Sequence, residues 1–220
     1  MASENDSNHF ASGIETKKLK KGLITLQPPL LELQNWIKKE YGVKPLNIIY
    51  DIIEPNTKLD VVWETREDYL KFLPDMKEFN NKENLIIEKF RKLAESFEEY
   101  TSIKMFVRHN VFSYLAINEA NRKVTSDEIE KLINDLSDFE IWKIMKRGST
   151  ARFFFFTEEQ VEKYMEEECI NYLSNRYFEL VNKYDEFDYT SKTDLKISID
   201  SKNKVEEIYQ GNWQGYFRDN

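Results

Sequence analysis

The stretch NIIYDIIEPNTKLDVVWET, from Asn47 to Thr65, has a counterpart 92 residues later in FEIWKIMKRGSTARFFFFT, from Phe139 to Thr157. The two stretches align without a gap. Each places apolar, β-branched or aromatic residues on both sides of a short polar turn, which predicts a β-hairpin. Each ends in a threonine that can cap a following helix. Two copies of so long a repeat are too few for a solenoid, so we expect two related α+β units.

Amphipathic helices are predicted on both sides of each hairpin, because apolar residues recur there at helical spacing. They begin near Leu30, Thr65, Glu83, Thr125 and Thr157, and the last is the longest. The predicted fold class is α+β, with two related helix-hairpin-helix units whose antiparallel strands form one continuous sheet or two small adjacent sheets covered by helices. We expect residues 1–21 to be a disordered tail with a basic run, 22–101 to form the first α+β unit, and 102–220 to form the second, packed on the first.

Four successive phenylalanines, Phe153 to Phe156, put aromatic rings on both faces of the second hairpin. An exposed strand of this kind would be prone to aggregate, so the run predicts a central strand that is covered on both sides. A platform on which nucleic-acid bases stack is the functional alternative. Such platforms usually interleave aromatic residues with lysine or arginine, and core packing is therefore the favoured interpretation.

The composition favours an intracellular protein that neither coats nucleic acid nor enters a membrane. The chain has 220 residues, 40% of them hydrophobic, and a formal net charge of -8. This charge repels phosphate backbones and anionic lipid, which argues against nucleic acid as a partner. Cys169 is the only cysteine, which excludes an internal disulfide and fits a reducing compartment. With no signal peptide and no apolar run of membrane-spanning length, we expect a cytoplasmic protein without membrane contact.

The sequence predicts no catalytic residue, no metal site and no cofactor, which argues against an enzyme. Its two histidines are His9, in the predicted tail, and His109, beside Arg108 at a predicted strand turn. His109 is the one acid/base candidate, and a surface histidine in a turn is the favoured interpretation. Zinc needs clustered cysteine and histidine, and phosphate-binding glycine loops are absent. A Mg²⁺ site made only of carboxylates stays open, because Asp and Glu are abundant.

An excess of acid marks the start of the longest predicted helix as a candidate partner-binding surface. It is formed by Glu158, Glu159, Glu162, Glu166 and Glu167. Helix-dipole stabilisation explains acids only in the first turn. A solvated helix face is one interpretation of the rest, and electrostatic attraction of a basic partner is the other.

The aromatic ending of the chain is the second candidate surface, and it contains Tyr209, Trp213, Tyr216 and Phe217. Since Trp and Tyr are typical interface anchors, we expect these rings either to dock on the body of the protein or to bind a partner. The segment from Ile199-Asp200-Ser201-Lys202 to this ending resembles the closing stretch of an uncharacterised group of bacterial proteins. The resemblance covers mainly this terminal segment and implies no known activity.

A non-catalytic protein-binding module accounts best for these features. Its sharpest form is a bacterial immunity-type protein that neutralises a partner toxin, and the partner would be another protein, such as a basic toxin. The apolar strands and the repeat also make a homodimer conceivable. One alternative is a nucleic-acid-binding protein whose basic hairpin face contains Arg108, Lys143, Lys146, Arg147 and Arg152. The other is an enzyme with a carboxylate-based site, which needs a cleft that gathers acids of raised pKa.

Overall fold

The computed structural model of the chain describes residues 4–100, 104–189 and 195–219, with side chains from Ser12 onward. It divides into two compact units, Met1–Leu115 and Ala116–Asn220. The predicted boundary after residue 101 lies earlier than the observed one, because the strand Met105–Val111 pairs with the sheet of the first unit. Each unit combines helices with a three-stranded sheet, which confirms the α+β class.

In the first unit, a hairpin is extended by a strand from much later in the sequence. β1 (Asn47–Ile53) pairs antiparallel with β2 (Asn56–Trp63), and β3 (Met105–Val111) pairs parallel with β2. The prediction of purely antiparallel strands is therefore wrong, because the chain crosses over through helices before β3 joins the sheet. The helices of this unit are α1 (Glu4–Lys20), α2 (Pro28–Tyr41), α3 (Arg66–Phe72) and α4 (Phe79–Ala94).

The apolar core of the first unit lies on one face of this sheet. Alternate residues of β2, namely Leu59, Val61 and Trp63, belong to that core and are fully buried. The helices α2 and α4 contribute fully buried residues at helical spacing, among them Leu33, Ile37, Ile86 and Phe90. Each such side chain contributes about 1.5–3 kcal/mol when it leaves water. The hairpin is therefore stabilised by the helices that cover it.

The other face of β2 is polar, and α1 lies against it. Ser12 Oγ donates a hydrogen bond to Asp60 Oδ2 at 2.6 Å, and Asn47 Nδ2 donates to Thr16 Oγ1 at 3.2 Å. Most of the segment predicted to be a disordered tail is thus helical. The sequence of α1 has no apolar stripe that would reveal it as a surface helix. Polar side chains, among them Ser12 and Thr16, bond it to the sheet instead.

The second unit has the same strand order. β4 (Ile141–Arg147) pairs antiparallel with β5 (Thr150–Phe155), and β6 (Lys196–Ser201) pairs parallel with β5. The single long helix predicted from Thr157 is two helices, because the chain breaks at Met165 and Glu166. The helices that follow α4 are α5 (Phe112–Lys123), α6 (Ser126–Asp135), α7 (Glu158–Tyr164), α8 (Glu167–Asn182) and α9 (Trp213–Asp219), with a π-helical turn at Lys204–Ile208. No helix within the described ranges is long and apolar enough to cross a membrane.

The phenylalanine run fills two cores on opposite faces of β5. Phe153 and Phe155 belong to the main core of the second unit, whereas Phe154 packs on the other face with Val205 and Tyr216. Phe153, Phe154 and Phe155 are 0% exposed, and Phe156 is 43% exposed. The predicted central strand with two covered faces is therefore confirmed for the first three rings.

Candidate functional site

The strongest candidate site is centred on His109, which faces the core from β3. Its side chain is 5% exposed, so the prediction of a surface turn histidine is wrong. Four aromatic rings surround the imidazole, with centroids 5.2–6.0 Å from its own: Trp63, Tyr69, Phe72 and Phe79. A buried imidazole costs free energy unless its nitrogens are hydrogen-bonded. The partners of the two nitrogens therefore decide what this site can do.

Local sequence signals place these rings around His109. Thr65 caps α3, since its Oγ1 accepts a hydrogen bond from the backbone N–H of Asp68 at 3.3 Å. The helix that starts there carries Tyr69 and Phe72 three residues apart, on one side. Phe79 begins α4, and Glu83 follows one turn later on the same face. The helices α3 and α4 thus place three rings and one carboxyl group around the same strand residue.

The indole of Trp63 fixes which nitrogen of His109 carries the proton. Trp63 Nε1 lies 3.1 Å from His109 Nδ1. An indole N–H can only donate, so Nδ1 is the acceptor, and the proton of the neutral imidazole is on Nε2. The Nε2–H group is therefore the donor on the side of the ring where Glu83 lies.

Glu83 lies near that donor without reaching it. Its Oε1 is 4.0 Å from His109 Nε2, which exceeds hydrogen-bond distance. Both atoms are buried, and neither has a hydrogen-bond partner within the described part of the chain. The Glu83 side chain as a whole is 17% exposed. Because buried polar groups are normally paired, two unpartnered atoms this close together make His109 and Glu83 the candidate site.

Burial shifts both groups in directions that suit proton transfer. It lowers the pKa of His109 to about 4, against a smaller opposing effect of Asp60, so the imidazole is neutral at pH 7. Burial raises the pKa of the Glu83 carboxyl, which makes its ionised form a stronger base. Burial, together with the charge of Glu83, also raises the pKa of Tyr69. The pair combines a carboxylate base with a neutral hydrogen-bond donor.

The predicted acidic surface is spread over two helices rather than one. Glu158, Glu159 and Glu162 lie on α7, whereas Glu166 precedes α8 and Glu167 begins it, and all five residues are exposed. Glu158 Oε1 accepts a hydrogen bond from Ser201 Oγ at 2.6 Å, which ties α7 to the end of β6. The break between the helices changes the direction of the chain within the predicted surface.

The aromatic ending is docked on the body of the second unit. Tyr216 is 0% exposed, and Tyr209, Trp213 and Phe217 are partly buried against the cluster of Phe154 and Val205. The Tyr216 hydroxyl also donates a short hydrogen bond to Asp200 Oδ2. Of the two predicted alternatives, the structure shows docking on the body of the protein. Tyr216 is therefore unavailable as an exposed anchor for a partner.

The five basic residues predicted as one hairpin face do not form one. Arg108 lies on β3 of the first unit, where it pairs with Asp60 at 2.5 Å. Lys146 donates to the carbonyls of Asn121 and Arg122, both at 2.8 Å, and to that of Val124, so it caps the end of α5. Lys143 lies over the rings of Trp142 and Trp213. Arg147 and Arg152 line a common pocket.

Sequence reasoning found His109 but missed Glu83. The usable signal was an acid on the apolar face of an amphipathic helix, since Glu83 precedes Ile86 and Phe90 by three and seven residues. A charged residue at such a position is seldom buried without a reason. In the part of the chain that the structure describes, no group of three or more His, Cys, Asp or Glu side chains is arranged to hold a metal ion.

Comparison with known proteins finds one partial likeness to report. The chain is 30% identical over 105 residues to an uncharacterized methyltransferase-like protein of Schizosaccharomyces pombe. The match covers 47% of this chain and 37% of that protein, so the chain spans little more than a third of its relative. No family model matches the chain, and no solved structure matches it. The resemblance of the C-terminal segment to uncharacterised bacterial proteins stays a prediction.

This likeness corrects the predicted function. A methyltransferase-like relative points toward an enzyme, so the expectation of a non-catalytic, immunity-type binding protein is wrong, and so is the argument against an enzyme. The sequence was expected to encode a non-catalytic protein because it contains no contiguous catalytic motif. That reasoning fails when a site is assembled from residues far apart in the chain, as His109 and Glu83 are.

Proposed function

We propose that this chain is an enzyme, or part of one, in which Glu83 and His109 carry out acid–base chemistry on a bound substrate. The observation that carries the proposal is the pair of buried, unpartnered atoms His109 Nε2 and Glu83 Oε1, 4.0 Å apart. Shifted pKa values in a water-poor site are typical of enzyme active sites. The methyltransferase-like relative supports the same class of protein.

Each residue has a definite role in this proposal. Glu83 removes a proton from a substrate hydroxyl, amine or carbon acid, and its raised pKa strengthens it as a base. His109 donates Nε2–H to the oxygen or nitrogen on which negative charge develops. Trp63 acts as a positioning residue, because its N–H holds the imidazole in the tautomer that can donate.

Methyl transfer is a reaction that such a base could assist, by deprotonating the group that accepts the methyl. The rings around His109 do not, however, fit a methyl donor such as S-adenosylmethionine. Aromatic faces attract a sulfonium cation, but Trp63 and Phe72 are at most 1% exposed and their rings stack on each other at 4.7 Å. The proposal therefore assigns proton transfer to these residues and derives no step through a methyl donor.

Loss of the base is expected to abolish turnover selectively. The purified protein and its Glu83→Gln variant are incubated with a small-molecule extract, and consumed and formed species are followed by mass spectrometry. Since general base catalysis contributes about 10²–10⁴-fold, we expect Glu83→Gln to slow turnover by about 100-fold or more. His109→Asn is expected to slow the same reaction, because it lacks the Nε2–H donor.

Glu88→Gln provides the matched control, because Glu88 is an exposed residue on the same helix. Its turnover should equal that of the unmodified protein. Equal turnover by the Glu83→Gln and Glu88→Gln variants would exclude Glu83 as the base, and an absence of turnover in all samples would contradict the assignment as an enzyme.

The burial of His109 predicts a specific loss of stability in acid. The unfolded imidazole binds a proton near pH 6.5, whereas the folded one binds it only near pH 4. Between these values the unfolded state holds more protons, so stability falls as the pH falls through this window, by about 3 kcal/mol in all. The raised pKa of Glu83 acts in the opposite direction, since protonation favours the folded state.

Urea unfolding at pH 7.0 and 4.5 isolates this effect when the protein is compared with His109→Gln, which cannot bind the proton. We expect the acid-induced loss of stability to be smaller in the variant. An identical loss in both proteins would show that His109 is not the group that titrates.

The proposal also includes the location of the protein and the origin of its two units. A reducing, cytoplasmic location is supported by the presence of a single cysteine, Cys169. A common origin of the two units is supported by the sequence repeat and by the starts of α3 and α7, Arg66 and Glu158, which are also 92 residues apart. The two hairpin turns, at 54–55 and 148–149, are 94 residues apart, so the structural repeat is not gapless. The shared order of strands in the two sheets supports a common origin as well.

A further inference from the structure

A second site lies on the sheet of the second unit, on the face that α9 partly covers. Two rows of side chains cross the three strands there. Strand register places Met145, Arg152 and Ser198 in the first row, and Arg147, Thr150 and Lys196 in the second. Residues two apart along a strand share a face, so both rows lie on the same face of the sheet as Phe154.

These rows border an open pocket with a volume of about 430 Å³. Pockets that bind small molecules typically measure about 300–1,000 Å³. Its lining consists of three cations, two hydroxyl groups and an apolar remainder: Arg147, Arg152, Lys196, Thr150, Ser198, Met145, Ile197 and Phe217. None of these lining residues is acidic, although the chain has a net charge of -8. The pocket therefore concentrates positive charge on an otherwise acidic protein.

Arg152 is held in place at the inner row of the pocket. Its Nε donates to Ser198 Oγ at 2.9 Å, and its Nη1 donates to the hydroxyl of Tyr216 at 2.6 Å. The hydroxyl of Tyr216 is in turn bonded to Asp200, so the position of Arg152 is fixed from two sides. A charged group that is already ordered costs less conformational entropy when a ligand binds.

Arg147 and Lys196 stand at the outer row, on either side of Thr150. Both are exposed, so their charged ends are accessible to a ligand from solvent. Guanidinium and ammonium groups supply donors in several directions, which matches the three oxygens of a phosphate better than the two of a carboxylate. The hydroxyl of Thr150 between them donates to the carbonyl of Arg147 at 2.7 Å. Phe217 and Met145 provide the apolar surface next to these donors.

We propose that this pocket binds a small phosphate ester, with the phosphate on Arg147 and Lys196 and an apolar or aromatic portion against Phe217 and Met145. The proposal does not rest on acid–base chemistry at Glu83 and His109, because those residues belong to the first unit and the pocket to the second. The excess of negative charge on the chain favours a small ligand over a nucleic acid, whose long phosphate backbone would be repelled.

Isothermal titration of the full chain with phenyl phosphate at low salt is the direct test. Inorganic phosphate, benzoate and benzyl alcohol serve as comparison probes that each lack one feature of the ligand. We expect saturable binding of phenyl phosphate that is stronger than binding of any comparison probe. Removal of one charged donor by Arg147→Gln or Lys196→Gln should weaken it about tenfold.

Lys131→Gln is the matched control, because it removes one exposed charge from α6 in the same unit, outside this pocket. Its affinity for phenyl phosphate should be unchanged, and circular dichroism should show all variants folded. The proposal is overturned if phenyl phosphate does not saturate the protein, if all three variants bind it equally, or if a 5′-phosphorylated oligonucleotide binds while phenyl phosphate does not.

Discussion

Replacing Asp60 with alanine is expected to lower the free energy of unfolding by about 3–5 kcal/mol, because it leaves buried positive charge without its partner. The carboxyl group of Asp60 accepts hydrogen bonds from Arg108 Nε and Nη2 at 2.5 and 2.6 Å. Its Oδ2 also lies 3.2 Å from Nζ of Lys58, whose side chain is 2% exposed. Without Asp60, the ion-pair partner that Lys58 retains among the described residues is Asp51, whose side chain is 44% exposed.

Asp51→Ala is the appropriate comparison for this experiment. It removes a carboxylate from the same lysine but leaves Asp60 in place, so we expect a loss of no more than about 1 kcal/mol. Urea unfolding followed by tryptophan fluorescence measures both variants. Equal losses would mean that Asp60 does not have a special role in stabilising the buried charges.

The same substitution should loosen α1. Ser12 Oγ loses its acceptor when Asp60 is replaced, and this bond is one of the polar contacts that hold α1 against the sheet. Amide hydrogen exchange within α1 is therefore expected to accelerate in Asp60→Ala but not in Asp51→Ala.

Local signals in the sequence predicted the hairpins and several helix starts. Thr125 with Glu128 and Thr157 with Gln160 form reciprocal capping boxes at the starts of α6 and α7. These signals depend on residues within one turn of each other, so they can be read from a short stretch of sequence. The paired strands of each hairpin are likewise adjacent in the chain.

Non-local pairing could not be predicted in the same way. β3 joins β2 in parallel after two intervening helices, and β6 joins β5 similarly. A parallel strand carries no turn that fixes its register, so no local signal identifies β2 as the partner of residues 105–111. The helix α1 was missed for a related reason, because it is held by contacts of Ser12 and Thr16 with distant residues rather than by an apolar stripe.

In the candidate site, too, local features could be predicted and contacts between distant residues could not. His109 was identified as the acid/base candidate from composition alone, since the chain has only two histidines. Its burial, its bond from Trp63 and its approach to Glu83 all depend on contacts between separate elements. The candidate residue could therefore be identified from the sequence. Its protonation state, which defines the chemistry, depends on the packing around it and could not be predicted.

Phe154→Ala is expected to reduce stability by about 3–5 kcal/mol, the usual cost of removing a fully buried aromatic ring from a core. Phe154 is 0% exposed, and its ring centroid lies 5.2 Å from that of Trp213 and 5.5 Å from that of Tyr216. It is thus a principal apolar contact between β5 and α9. The substitution should lower the urea midpoint and also raise hydrogen exchange in α9, since the helix loses the ring on which it packs.

Phe156→Ala tests whether this loss comes from burial rather than from the run of phenylalanines itself. Phe156 has the same side chain two residues further on, but it is 43% exposed. Substitution of an exposed residue usually changes stability by no more than about 0.5 kcal/mol. Similar losses in both variants would contradict the packing of Phe154 between β5 and α9. A large loss in Phe154→Ala alone, accompanied by exchange in α9, would establish that the aromatic ending is an integral part of the second unit.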